Sequence, residues 1–125
     1  MSDAAESLEK IRALAAVSGR YRPEAYLFTL AAVTYTVHKH ATEGRRGHVT
    51  GQQLLDGIKE LALDRFGYLA RTVFEQQGLK RTDDFGEIVF ELIEANILSK
   101  QPTDSKQDFC GHYDFREALE TNYRA

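Results

Sequence analysis

The chain has little of what staples or interrupts a fold. It holds one cysteine, Cys110, and no tryptophan. A single thiol excludes an internal disulfide framework and suits a reducing compartment. Its two prolines, Pro23 and Pro102, leave the stretch between them free of obligatory breaks. No apolar run approaches the ~20 residues that cross a bilayer, so no membrane span is expected. The opening MSDAAESLEK is acidic and has no apolar core, unlike a signal peptide, and the expected location is cytoplasmic. There is also no excess of positive charge. Sixteen Lys and Arg against nineteen Asp and Glu give a net charge of -3, which excludes a global basic footprint for nucleic acid. Neither a Walker loop nor a G-x-G-x-x-G pattern is present, so nucleotide binding of a familiar kind is unsupported, and no cofactor is implied.

What is present is periodic. Leu8, Ile11, Leu14 and Ala15 give a narrow amphipathic stripe over residues 3–18, and Gly19 is a natural stop. Pro23 opens a second helix over 23–41, since its missing N–H costs nothing in the first turn. Leu27, Leu30, Ala31, Thr34 and Val37 form one face of that helix, widened by Tyr26, Phe28 and Val33 into a surface expected to be buried on more than one side. After the polar loop HATEGRRGH, Thr50 with Gln53 three residues on reads as a capping box. Leu54, Leu55, Ile58, Leu61 and Ala62 follow as an apolar face up to Gly67. A short helix around Leu69–Phe74 closes at Gly78. Thr82 is expected to cap a fifth helix with the stripe Phe85, Ile88, Val89, Leu92 and Ile93. Gly86 inside it costs about 1 kcal/mol against Ala, and a second backbone packed close would explain it.

Beyond that helix, Asp108 to Phe115 alternate with a period of two, which predicts a half-buried strand. Ile97–Gln101 would be its partner, with residues 102–106 as the tip. A helix running into a hairpin is the order of a winged-helix unit. The expected fold is therefore mainly α with a C-terminal β-hairpin. An N-terminal helix (1–20) precedes a domain over 21–125, whose winged-helix-like part covers about 48–118.

The segments YRPEAYLF (21–28), HVTGQQLLDGIKELALDRFG (48–67), TDDFGEIVFELIEANILSK (82–100) and DSKQDFCGHYDF (104–115) carry a resemblance. Through them the chain resembles a group of short bacterial proteins from Planctomycetes and Verrucomicrobia, a likeness covering most of residues 21–115. The resemblance implies a compact stand-alone domain and brings no activity or site residues. One departure is Gln77, where the group leads one to expect an aromatic before Gly78.

Two charged features are candidates for function. Asp84, Glu87, Glu91 and Glu94 share one face of the fifth helix and are unopposed there by Lys or Arg. That face repels phosphates, where a DNA-reading helix brings Arg or Lys. It suits a basic protein partner, although a merely solvating face would look the same. The other feature is Lys39, Arg45 and Arg46, with Arg20 and Arg22 as neighbours, a loop cluster able to touch phosphates weakly. A mobile surface loop would again look alike. His38, His40 and His48 lack zinc spacing, so no metal site is expected. Cys110, His112 and Asp114 superficially suggest nucleophile, base and orienter, but two strand residues apart is ~7 Å, too far for a relay. The favoured expectation is a non-enzymatic protein-interaction module. A nucleic-acid-associated protein is disfavoured, and a small enzyme stands behind both.

Charge is unevenly spread. Residues 1–48 carry seven basic against five acidic side chains, or +2; residues 49–125 carry nine against fourteen, or -5.

Overall fold

A computed structural model describes residues 2–44, 49–98 and 106–121. They form five α-helices: α1 (Ser2–Ser18), α2 (Pro23–Thr42), α3 (Gly51–Phe66), α4 (Ala70–Gln76) and α5 (Thr82–Glu94). A 3-10 turn, Gly67–Leu69, joins α3 to α4. A second, Lys106–Phe109, and a π-helical turn, Glu117–Thr121, complete the elements among the described residues.

Local chemistry sets several of these boundaries. The Thr50 hydroxyl accepts from Gln53 N at 3.1 Å while Thr50 N donates to Gln53 Oε1 at 3.0 Å, so the capping box at α3 forms as expected. At α5 the cap differs from expectation. The Asp84 carboxylate accepts from the backbone N–H groups of Lys80 (2.7 Å) and Arg81 (3.0 Å), and Thr82 turns inward instead. The α5 stripe is buried at Phe85, Ile88, Val89 and Leu92.

The core gathers around Phe74. Its ring lies 5.5 Å from Phe28, 5.2 Å from Phe85 and 5.3 Å from Phe115, tying α2, α4, α5 and the C-terminal segment together. Such offset and edge contacts add about 0.5–1.5 kcal/mol each beyond area burial. The N-terminal helix belongs to this core, since Ile11 and Ala15 of α1 are buried in it.

Two expectations are corrected. The first is the orientation of α2. Its buried residues are Ala25, Tyr26, Phe28, Thr29, Ala32 and Thr36. Leu27, Thr34 and Val37 of the expected core face are exposed, and Leu30 and Ala31 are only half-buried. The reason is that Thr29 and Thr36 satisfy themselves within the helix, donating to Ala25 O (2.8 Å) and Ala32 O (2.7 Å), and so can be buried. Thr36 also occupies the space that a side chain on Gly57 would need, which lets α2 and α3 approach closely.

The second correction is the hairpin. Among the described residues there is no strand, so the winged-helix-like assignment and its α+β class do not hold. Residues 99–105, most of the expected first strand and tip, lie outside the described residues. The expected alternation over 108–115 holds only at its ends: Phe109 and Phe115 are buried, but Gly111 is exposed and His112 is half-buried like Tyr113. The backbone there pairs with no strand. Phe109 O accepts from the Thr82 hydroxyl at 2.6 Å, Gly111 N donates to Asp83 Oδ1 at 3.1 Å, and His112 N donates to the Thr82 hydroxyl at 3.1 Å. Backbone groups need partners, and here the start of α5 supplies them. Gly111, at φ +58°, bends the segment where a strand would run straight.

Candidate functional site

The acidic residues of α5 are placed together, as their spacing requires, but three of them face the chain itself. Asp84 accepts a 2.7 Å hydrogen bond from the Tyr21 hydroxyl as well as capping the helix. Glu91 accepts from the Tyr26 hydroxyl at 2.6 Å. Glu87 pairs with Lys106 at 3.2 Å and Arg20 at 3.7 Å. Only Glu94 is exposed and without a partner among the described residues. Burial, then the bond to its carboxylate, pushes each tyrosine hydroxyl up from its ordinary range, so both remain donors. Tyr21 and Tyr26 were missed as partners of the acidic face. Their signal was weak, two tyrosines in the stretch that brings the chain into α2.

Arg20 and Arg22 do not neighbour Lys39. Arg20 and Arg22 stand before α2 and Lys39 near its end, about 25 Å apart along a helix rising 1.5 Å per residue. Lys39 is paired with Glu60 of α3, which also accepts from the Tyr35 hydroxyl at 3.0 Å. Burial pushes the Glu60 carboxyl up, but the bonds from Lys39 and Tyr35 outweigh it and hold it below the ordinary carboxylate range. Arg45 and Arg46 lie outside the described residues.

Cys110, His112 and Asp114 turn to three different partners. The Cys110 thiol points to Lys106 O at 3.8 Å. His112 Nε2 meets Asp56 Oδ1 at 3.1 Å. Asp114 Oδ2 accepts from Glu117 N at 3.0 Å. What burial it has, then the neighbouring Asp83 carboxylate, raises the Cys110 thiol above its ordinary value, the opposite of an activated nucleophile. Among the described residues no group of three His, Cys, Asp or Glu side chains is placed to hold a metal ion. None of the described helices is long and apolar enough to cross a membrane.

Two surface features stand beside the exposed side chains of Val17, Tyr68 and Leu69. A shallow cleft of about 680 Å³ lies between the end of α1 and the end of α4, lined by Arg12, Arg20 and Arg22 but also by Glu24 and Glu75. Its charge is mixed, which gives it no strong preference for an anion. The other is the outer face of α2. Leu27 is 43% and Val37 46% exposed, with Thr34 open to solvent between them and Leu30 and Ala31 half-buried alongside. Leu30 and Ala31 also pack against the core, so Leu27 and Val37 are two separate exposed aliphatics of this helix.

No family model matches the chain, and no curated protein or solved structure matches it either.

Proposed function

We propose that the protein is a non-enzymatic protein-interaction module that docks a helical partner on the outer face of α2. The observation that carries this reading is the pair of exposed aliphatics Leu27 and Val37, with Thr34 open to solvent between them, on a helix whose opposite face is packed. Helix-in-groove and helix-on-helix recognition use anchors at this spacing. The engagement of Asp84, Glu87 and Glu91 within the chain weighs against α5 as the docking face. The pairing of Lys39 with Glu60 weighs against phosphate contact, and the divergent partners of Cys110, His112 and Asp114 weigh against catalysis.

A photo-crosslinking residue placed at Thr34, and separately at Glu94, tests this in native cells. Thr34 should yield a protein adduct that is lost when Leu27→Glu and Val37→Glu are added. Adducts from Glu94 alone, or to nucleic acid alone, would sink the reading.

A further inference from the structure

We draw no further inference here: the strongest candidate, the shallow cleft between the end of α1 and the end of α4, sets Arg12 and Arg22 against Glu24 and Glu75, and nothing in the structure shows what would occupy it.

Discussion

Gly86 shows how one missing side chain seats a whole segment. A Cβ built there would lie 2.9 Å from Phe109 Cβ and 3.0 Å from its Cγ. The sequence reading placed another backbone against this glycine; the neighbour is a phenylalanine side chain. That phenylalanine is held in place by the bond from Thr82 to its own carbonyl, so it has little freedom to retreat. Gly86→Ala therefore sets two effects against each other. Helix propensity favours alanine by about 1 kcal/mol, while forcing a methyl into a filled core costs about 1–3 kcal/mol. Crowding should win by up to about 2 kcal/mol, measured as a lower urea midpoint at unchanged m-value. A stabilised variant would mean that Phe109 yields easily and that the C-terminal segment is loosely seated.

At the scale of elements, the start of α5 does the work that a second strand was expected to do. Asp83 is the titratable part of that arrangement. The N–H of Gly111 holds its carboxyl below the ordinary value, a pull only partly opposed by burial. A depressed folded-state pKa contributes stability that is complete above the unfolded value near 4 and is lost as pH falls through the lower folded value. Acidification from about pH 5 to about pH 2 should thus loosen residues 109–113 from α5, and Asp83→Asn should remove that share of the pH dependence. Hydrogen exchange at Gly111, compared between the two proteins, reads it directly. If both lose protection at the same pH, the Asp83–Gly111 bond is not what acid breaks. Elements whose cause is local could be read from the sequence. The Thr50–Gln53 box and the Phe85–Leu92 stripe are examples. The face of α2 could not, because two buried threonines satisfied by their own helix look polar in a linear reading. Nor could the C-terminal segment, whose period of two breaks at Gly111 and whose partners, Thr82 and Asp83, lie 27 to 30 residues away. The acidic face was found by spacing, but its tyrosine partners 63 and 65 residues earlier were out of reach of any periodic rule.

Across the whole molecule, the basic front and acidic back seen in the sequence meet in part in ion pairs on the folded surface. Lys39 pairs with Glu60 and Arg20 with Glu87. Charge is thus less a signpost for a partner here than part of how the two halves join, and the apolar joint between them matters more. Residues 106–121 are central to that joint. Phe109, Phe115 and Leu119 are 4%, 4% and 0% exposed. Burying three such side chains contributes about 5–9 kcal/mol, against a total stability of about 5–15 kcal/mol for a domain of ordinary size. A chain ending at residue 105 should therefore lose most of its margin. Its helices would keep much of their far-UV signal, because each retains its own backbone bonds. The tyrosine near-UV signal and the cooperative thermal transition should vanish, and a hydrophobic dye should bind the opened crevice between α3 and α5. A peptide of residues 106–125 added back at excess should restore the transition, since a fragment that binds only the folded form stabilises it by mass action. If the shortened chain instead unfolds sharply with its near-UV signal intact, α1 to α5 suffice as a core, and the C-terminal segment is an attachment that Phe109 merely anchors.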